Sequence, residues 1–326
     1  MLPSDPTPDE LRSHRPELSV PADFDAFWQK TLAEARAHGG AVRAELVTGE
    51  HLLSTVEVYD VRFPGWNGEP VAAWLLRPRT AEGPLPVVVS YAGYSGGRGL
   101  PHDNLVWSAA GYAHLVVDTR GQGHATPDRG EGDGTQWSGG FMTRGIDSPD
   151  TYYYRRFMTD CVRAVDAVAD LPGLDSGRVV VAGGSQGGGL TLAVAALAPE
   201  KVAAAMVDVP FLCHYREATR TSLDGPYQEI VEYLRWHSPH RVEQTFATLD
   251  YFDGVHFATR ASAPVLFSVG LMDPVCPPAT VYAAFQLYAG ADRTMTVWPF
   301  ADHGGGHGRN TAAQLKWLHQ RGTAQK

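Results

Sequence analysis

The stretch from Val179 to Leu190, V-V-V-A-G-G-S-Q-G-G-G-L, decides the fold class of this chain. An apolar strand enters it, the pattern G-x-S-x-G follows at residues 183–187, and a small-residue helix leaves it. This order is typical of a nucleophile elbow, in which a serine sits on a strained strand-to-helix turn and its hydroxyl projects above a sheet. The flanking glycines leave the space that such a turn needs. The segment therefore predicts Ser185 as a nucleophile; a glycine-rich turn that holds an anion, or nothing, is the alternative.

Short apolar runs that end in turn residues lie on both sides of this elbow. Runs that are apolar on both faces are typical of parallel strands covered by helices, and helical segments alternate with them here. Alternating patterns at residues 55–63 and 70–76, joined by a G-W-N-G turn, predict an antiparallel hairpin that precedes them. The predicted strands are 86–91, 113–118, 178–182, 203–207, 264–269 and 294–298, and the predicted helices are 23–38, 152–171, 186–198 and 279–288.

These elements predict a three-layer α/β sandwich of the α/β-hydrolase type, with a mostly parallel sheet after the antiparallel hairpin. We expect one domain over residues 1–326, with a helical N-terminal extension over residues 1–40. Residues 211–259 are rich in aromatic side chains, His and Arg and fall between two predicted core strands. We interpret this segment as a cap inserted into the same domain. The Gly- and Asp-rich segment 124–140 maps to no role.

The composition favours a soluble globular protein, with 44% hydrophobic and 19% charged residues among 326. The net charge of −9, without a long basic run, gives no basis for a nucleic-acid partner. No apolar run approaches the ~20 residues of a membrane helix, and the N-terminus lacks the pattern of a secretory signal. The widely spaced Cys161, Cys213 and Cys276 are typical of reduced thiols. We therefore expect a cytoplasmic protein with no membrane partner.

Two residues that could complete a catalytic triad follow later strands. In the α/β-hydrolase order, an acid and then a histidine come after the nucleophile. Asp273 follows one predicted strand, and His303 follows the next on a glycine-rich loop. Asp273 could instead cap a turn or helix, and His307, one turn further on, competes with His303. Asp250 and Asp253 lie in the insert, follow no clear strand, and are weaker candidates for the acid.

Together, these residues would catalyse acyl transfer with neither a metal nor an organic cofactor. His303 would take the proton of Ser185, the serine would attack the ester carbonyl, and Asp273 would hold the imidazole. The main-chain N–H groups of Gln186 and of a residue near Tyr94 would bind the oxyanion, although the Tyr94 loop could also be a simple flexible turn. The other histidines lack the spacing of metal ligands, so no metal is expected.

Several segments together resemble the carbohydrate esterase family, family 7, that contains acetyl xylan esterases and cephalosporin-C deacetylases. The similarity runs from about Leu11 to near the C-terminus. An R-G-Q segment, a G-x-S-Q-G elbow and a C-terminal histidine motif are together specific to this family. The segments that carry the resemblance are 93–99, 118–123, 141–145, 151–156, 183–188, 208–214 and 270–273.

The resemblance implies Ser185, Asp273 and His303 as the triad, and the main-chain N–H groups of Tyr94 and Gln186 as the oxyanion hole. It implies deacetylation of small acetylated substrates, namely acetylated xylo-oligosaccharides and cephalosporin C. It also implies an intracellular homohexamer whose active sites face an inner cavity.

Five more residues are interpreted through the same resemblance. Arg120 and Gln122 are expected to brace the elbow rather than to take part in the chemistry. Pro226 and Val275 are expected to narrow the acyl pocket, which favours acetyl over longer chains. The family usually has Glu directly after the catalytic histidine, where this chain has Gly304. We expect this loss to weaken local hydrogen bonding more than the chemistry, and it leaves substrate preference open.

Other functions remain as alternatives to an acetyl esterase. A long-chain lipase would need a strongly apolar lid, whereas the insert carries several arginines and histidines. A serine peptidase of this fold often carries a propeller domain, for which this chain has no room. A non-catalytic binding protein would commonly have lost a triad member, and labelling of Ser185 by a fluorophosphonate would distinguish it from an enzyme.

Overall fold

A computed structural model describes residues 7–49, 52–130 and 140–322. The first residues of the predicted N-terminal extension and most of the Gly- and Asp-rich segment 124–140 therefore lie outside the described residues. In the described ranges, the strands form one nine-stranded sheet. The strands are β1 Arg43–Leu46, β2 Val56–Pro64, β3 Pro70–Pro78, β4 Leu85–Tyr91, β5 Ala113–Val117, β6 Leu174–Gly184, β7 Val202–Asp208, β8 Val265–Gly270 and β9 Arg293–Trp298.

The sheet is antiparallel at its start and parallel after that. Its strand order is β1-β2-β3-β5-β4-β6-β7-β8-β9, and β1, β2 and β3 pair antiparallel, as do β3 and β5. Every pair from β5 to β9 is parallel. The predicted hairpin and six core strands are confirmed. The sequence did not indicate β1, because R-A-E-L is a short and largely exposed edge strand without an apolar run.

The predicted helices are also confirmed within a few residues. The helices are α1 Pro8–Ser13, α2 Phe24–Ala37, α3 Val106–Ala109, α4 Tyr153–Ala167, α5 Gln186–Leu197, α6 Tyr215–Thr221, α7 Tyr227–Glu232, α8 Val242–Leu249, α9 Gly254–Ala258, α10 Pro278–Leu287 and α11 Gly308–Gln320. Short 3-10 turns lie at Trp66–Gly68, Pro101–Asn104 and Val168–Asp170, and a π turn extends α7 over Tyr233–His237. None of the helices in the described part of the chain has both the length and the apolar character that a bilayer span requires.

The core lies on both faces of the parallel sheet. Val87 and Val89 of β4 belong to a large buried cluster that includes side chains of α4 and α5. Val88, which lies between them, points the other way into a smaller cluster with Trp317 of α11. Because successive strand residues face opposite sides of a sheet, burial of all three positions requires helices on both faces. The three-layer sandwich predicted from the apolar runs is thus the observed architecture.

The insert between β7 and β8 is helical and contains α6, α7, α8 and α9. It contacts the loop that follows β8, where the main-chain N–H of Leu223 donates to the carbonyl of Pro274 at 2.8 Å. The indole of Trp28 in α2 donates to the carbonyl of Tyr251 at 2.9 Å, which ties the N-terminal helix to the same insert. The insert therefore lies at the carboxyl ends of the strands, where ligands bind in open α/β sheets.

Candidate active site

Ser185 lies on the turn between β6 and α5, in a strained backbone conformation with φ 56° and ψ −121°. Such a conformation is costly for a residue with a side chain and persists only where packing enforces it. The packing is close here: a Cβ at Gly183 would lie 2.4 Å from the main chain of Gly187, and one at Gly187 would lie 2.1 Å from the carbonyl oxygen of Tyr91. The two glycines of the G-x-S-x-G pattern are therefore required by contacts between main chains.

His303 lies between the predicted nucleophile and the predicted acid. Its Nε2 is 2.9 Å from Oγ of Ser185, and its Nδ1 is 2.8 Å from Oδ2 of Asp273. Asp273 follows β8 and is buried, and its Oδ1 accepts hydrogen bonds from the main-chain N–H groups of Val275 at 2.8 Å and Cys276 at 2.9 Å. These two donors fix the carboxylate so that Oδ2 faces the imidazole. The structure thus brings Ser185, His303 and Asp273 together in the geometry of an acyl-transfer triad.

The weaker candidates for acid and base make contacts other than the hydrogen bonds of the triad. Asp253 caps α9, where its carboxylate accepts from the N–H of Val255 at 3.1 Å. Asp250 lies at the C-terminal end of α8. His307 packs against Gly304: a Cβ at residue 304 would lie 2.2 Å from Cε1 and 2.4 Å from Nε2 of its ring. The ring therefore occupies the space in which the family's usual glutamate side chain would begin.

The side chain of Gln186 connects the two predicted oxyanion residues. Gln186 is the first residue of α5, so its main-chain N–H is among those that a helix leaves unpaired at its N-terminus. Its buried side chain reaches the opposite loop, where Nε2 donates to the carbonyl of Gly93 at 3.3 Å, next to Tyr94. Oε1 of Gln186 accepts from the hydroxyl of Tyr154 at 2.8 Å. The side chain of one predicted oxyanion residue thus holds the loop that carries the other.

Gln122 completes this bracing. Its Nε2 donates to Oε1 of Gln186 at 2.9 Å, and its Oε1 accepts from the main-chain N–H of Ser95 at 2.7 Å. The fully buried Arg120 acts one step further away, because its Nε donates to Asp160 at 2.6 Å and its Nη1 pairs with Glu69. Gln122 thus contacts the elbow directly, whereas Arg120 anchors the turn that presents Gln122.

A cavity of about 310 Å³ adjoins Ser185 and His303. Its remaining lining residues are Gly184, Asp208, Val209, Ser268, Gly304, Gly305, His307, Asn310 and Thr311. Neither Pro226 nor Val275 is among them. Pro226 precedes α7, and Val275 packs against the adjoining Gly225, where a Cβ would lie 2.7 Å from the valine Cγ1. Their predicted role in the acyl pocket therefore stays a prediction.

Asp208, at the end of β7, is a residue whose place in the site the sequence analysis missed. Burial raises the pKa of this carboxyl from 3.8 to about 6, although it accepts hydrogen bonds from Asn310 at 2.8 Å and Gln314 at 2.6 Å. Its main-chain carbonyl also accepts from the N–H of Ser185 at 3.0 Å. Asp208 therefore connects the elbow to α11. A charged residue at the end of an apolar strand was the available signal for it.

Cys276 is a second residue that the sequence analysis did not place in the site. Its thiol is buried, which raises its pKa well above the ordinary value. Donor atoms of Asp273, Cys276 and His303 lie within 4.8 Å of one another, so these three residues could hold a metal ion. Asp273 and His303 already use their donor atoms in the triad hydrogen bonds, which a metal would have to replace. The triad geometry therefore needs no metal.

Comparisons with known proteins show the family of this chain. Residues 2–321 match the acetyl xylan esterase (AXE1) family. An acetyl xylan esterase from Paenibacillus sp. R4 is 37% identical, with a TM-score of 0.92 over 97% of this chain and 99% of that one. Acetyl xylan esterase 1 from Thermoanaerobacterium sp. JW/SL YS485 is 34% identical, with a TM-score of 0.88 over 96% and 99%. The acetyl esterase Axe7A of Xylanibacter ruminicola is 30% identical over 89% of this chain, which spans 65% of that relative's length.

Proposed function

The chain belongs to the acetyl xylan esterase family, a family of carboxylic ester hydrolases, and on that premise we propose that it is a serine esterase that removes acetyl groups from small acetylated substrates. The observation that carries the proposal is the continuous hydrogen-bonded path from Asp273 through His303 to Ser185, with distances of 2.8 and 2.9 Å. A serine hydroxyl becomes a good nucleophile when an oriented base accepts its proton.

Acylation would begin at Ser185. Nε2 of His303 accepts the hydroxyl proton while Oγ attacks the ester carbonyl, and the carbonyl oxygen gains negative charge. The main-chain N–H groups of Gln186 and Tyr94 would bind this oxyanion. The imidazolium then gives its proton to the departing alcohol, and the buried carboxylate of Asp273 stabilises the cation that forms in between.

Deacylation would follow the same path with water in place of the alcohol. His303 accepts a proton from the water, the resulting hydroxide attacks the acyl-enzyme, and collapse of the second tetrahedral intermediate returns the proton to Ser185. Every step uses side chains and main-chain N–H groups of this chain, so the proposed reaction runs without a cofactor.

For substrates, we propose acetylated xylo-oligosaccharides and cephalosporin C. The similarity to two acetyl xylan esterases and to an acetyl esterase supports an acetylated substrate. The cavity beside Ser185 has hydroxyl, amide and carboxylate groups in its lining, which suits a polar alcohol such as a sugar. The narrowing of the acyl pocket by Pro226 and Val275 would restrict the acid part of the ester to a short chain.

The assembly and location belong to the same proposal. The resemblance supports a cytoplasmic homohexamer with active sites that face an inner cavity. Size-exclusion chromatography with light scattering tests the assembly: a mass six times that of one chain is expected, and the mass of a single chain would contradict it. Fractionation of the native host tests the location.

The decisive experiment is hydrolysis of para-nitrophenyl acetate, butyrate and octanoate by the wild type and by Ser185→Ala. We expect a strong preference for acetate and a kcat that is lower by about 10⁴ or more in the variant. Ser176→Ala, an exposed serine near the other end of β6, is the matched control and should keep full activity. Wild-type activity in Ser185→Ala would show that Ser185 is not the nucleophile. Equal rates on acetate and octanoate would contradict the short acyl pocket.

A further inference from the structure

The loop that carries Tyr94 is held at three points. The carbonyl of Gly93 accepts from the Gln186 side chain at 3.3 Å, and the main-chain N–H of Ser95 donates to Gln122 at 2.7 Å. The third point is the tip of the Tyr94 ring itself, whose hydroxyl donates to Oε1 of Glu229 at 2.7 Å. The first two contacts come from the α/β core, whereas Glu229 lies on α7 in the insert.

Glu229 is held by donors rather than by an adjacent cation. Its Oε1 accepts from Tyr94, its Oε2 accepts from the main-chain N–H of Met142 at 3.1 Å, and the N–H of Gly140 also bonds to the carboxyl group. Burial raises the pKa of Glu229, and these hydrogen bonds oppose that shift. The packing around the pair is close, because a Cβ at Gly140 would lie 2.4 Å from the Tyr94 hydroxyl and 2.7 Å from Oε1 of Glu229.

The ring of Tyr94 has a defined orientation between two aromatic neighbours. Its centroid is 6.1 Å from that of Phe141 and 6.3 Å from that of Phe211, with both rings edge-on. Burial raises the pKa of Tyr94, so the phenol stays protonated and remains a donor to Glu229. Because the ring cannot turn freely at its tip or its sides, the main chain of residue 94 loses freedom as well.

We infer that Glu229 is a positioning residue for the oxyanion hole: it fixes the Tyr94 ring and, through it, the direction of the Tyr94 main-chain N–H. This inference rests on the proposed function, which gives that N–H its role. An oxyanion donor is effective only when its nitrogen lies about 2.7–3.1 Å from the position that the oxyanion will occupy. Glu229 touches neither substrate nor nucleophile, so it should act on the transition state rather than on ground-state binding.

The test is a double-mutant cycle with Glu229→Gln and Tyr94→Phe, assayed on para-nitrophenyl acetate. Loss of one oxyanion donor costs about 10²–10³ in kcat, so a donor that is misdirected but present should cost about 10-fold. Both single variants should lose that factor in kcat, with KM within about twofold of the wild type. The double variant should be no slower than the slower single one, because both changes disrupt the Tyr94–Glu229 hydrogen bond. A glutamine has one acceptor oxygen and cannot accept from both Tyr94 and Met142 as the carboxylate does. A phenylalanine lacks the hydroxyl, which also accepts from the N–H of Phe141.

The affinity for a trifluoromethyl ketone inhibitor is a second measurement, and a residue with only a structural role should not change it. The inhibitor forms a tetrahedral oxyanion on the serine, so its affinity should fall by the same factor as kcat. Glu243→Gln is the matched control, since this glutamate lies in the same insert with a largely exposed side chain, and it should behave as the wild type. If Glu229→Gln proves unstable on heating, Tyr94→Phe, which keeps the ring and Glu229, decides the matter.

Three results would overturn the inference: wild-type kcat in Glu229→Gln or in Tyr94→Phe, multiplicative losses in the double variant, or an unchanged inhibitor affinity. Each of these is distinguishable from failure of the proposed function. If fluorophosphonate does not label Ser185 in the wild type, the esterase proposal itself fails. If labelling and esterase activity are present but the losses of the two single variants multiply in the double variant, only the role of Glu229 fails.

Discussion

The two sides of the triad are glycine-rich for different reasons. Around Ser185, the glycines lie where main chains touch: a Cβ at Gly187 would meet the carbonyl of Tyr91 at 2.1 Å. On the loop that carries His303, the glycines meet side chains instead: a Cβ at Gly304 would lie 2.2 Å from the His307 ring, and one at Gly306 would lie 2.2 Å from the Trp298 ring. The nucleophile side thus packs main chain against main chain, whereas the base side packs its glycines mainly against side chains, which can move more easily.

The same contrast holds for the hydrogen bonds that stabilise each side. Around Ser185, the side chains of Gln122 and Gln186 form hydrogen bonds with each other and with the loop of the proposed oxyanion hole. The His303 loop is anchored by the helix that follows it, because the carboxylate of Asp208 accepts hydrogen bonds from Asn310 and Gln314 in the first turns of α11. In this chain, the proposed oxyanion hole is thus fixed by several side chains, whereas the proposed base His303 is positioned by its two hydrogen-bond partners.

The largest expected difference is in the response to alanine at glycine positions. Gly187→Ala should lower the free energy of unfolding by about 3 kcal/mol or more, because the new Cβ collides with a main-chain carbonyl that cannot move. Gly308→Ala should stay within about 1 kcal/mol of the wild type, since its Cβ enters open space. Urea denaturation of both variants checks this. Equal losses at the two positions would contradict the steric requirement for glycine at residue 187.

A smaller effect is expected when the bracing of the elbow is cut without a collision. Gln122→Ala removes hydrogen bonds to Gln186 and Ser95, so both oxyanion donors lose support and kcat should fall by about 10- to 100-fold. Steady-state kinetics on para-nitrophenyl acetate measure it. Gln286→Ala, remote from the elbow and bonded to the carbonyl of Arg12, serves as the control. A normal kcat in Gln122→Ala would mean that the oxyanion hole needs no side-chain bracing.

A pH dependence is expected from Asp208, which anchors α11. Burial raises the pKa of Asp208 from 3.8 to about 6, so the folded state binds a proton more tightly than the unfolded state. The stability of the wild type relative to Asp208→Asn should therefore be greatest below about pH 4 and should fall as the pH rises through about 6, by about 3 kcal/mol in all. Urea denaturation of both proteins from pH 4 to 8 measures this difference. If the free energies of unfolding of the two proteins change in parallel with pH, the pKa of Asp208 is not raised in the folded state.

The smallest effect is expected on the loop that carries His303. Gly304→Glu introduces the family's usual residue, but its Cβ lies within 2.2 Å of the His307 ring. Because His307 is exposed, its ring can swing away, and kcat/KM should fall only a few-fold. The double substitution Gly304→Glu with His307→Gly should recover part of that loss. A double variant that is no better than the single one would show that the two side chains do not compete for the same space.

The sequence was informative wherever chemistry and local pattern coincide. The elbow at residues 183–187 was readable because a strand, a glycine-bounded serine and a helix follow each other directly. Asp273 and His303 were readable because each follows an apolar strand, and parallel strands end at the same edge of a sheet. The resemblance further supplied Gln122, which local pattern alone would leave unassigned. The ion-pair anchor of Arg120 on α4 and the β2–β3 turn came only from the structure.

The remaining parts of the site join residues that are far apart in the chain. Tyr94 meets Glu229 across 135 positions, and Asp208 meets Asn310 across 102. Nothing in the local spacing of these residues marks them as partners, because a carboxylate and a phenol are ordinary on any surface. The sequence indicated only that Cys276 is a reduced thiol, whereas the structure places it beside Asp273 and His303.

By itself, the sequence determined the order of strands and helices, the parallel core and the residue types of the triad. These follow from hydrophobic periodicity and from the steric needs of a strained turn, which act over a few residues. Only the tertiary structure decided that His303 rather than His307 faces Ser185, that Asp208 anchors α11, and that Glu229 reaches Tyr94. Those outcomes depend on how the elements pack in three dimensions, since the distances and burial that select one partner over another exist only after the chain has folded.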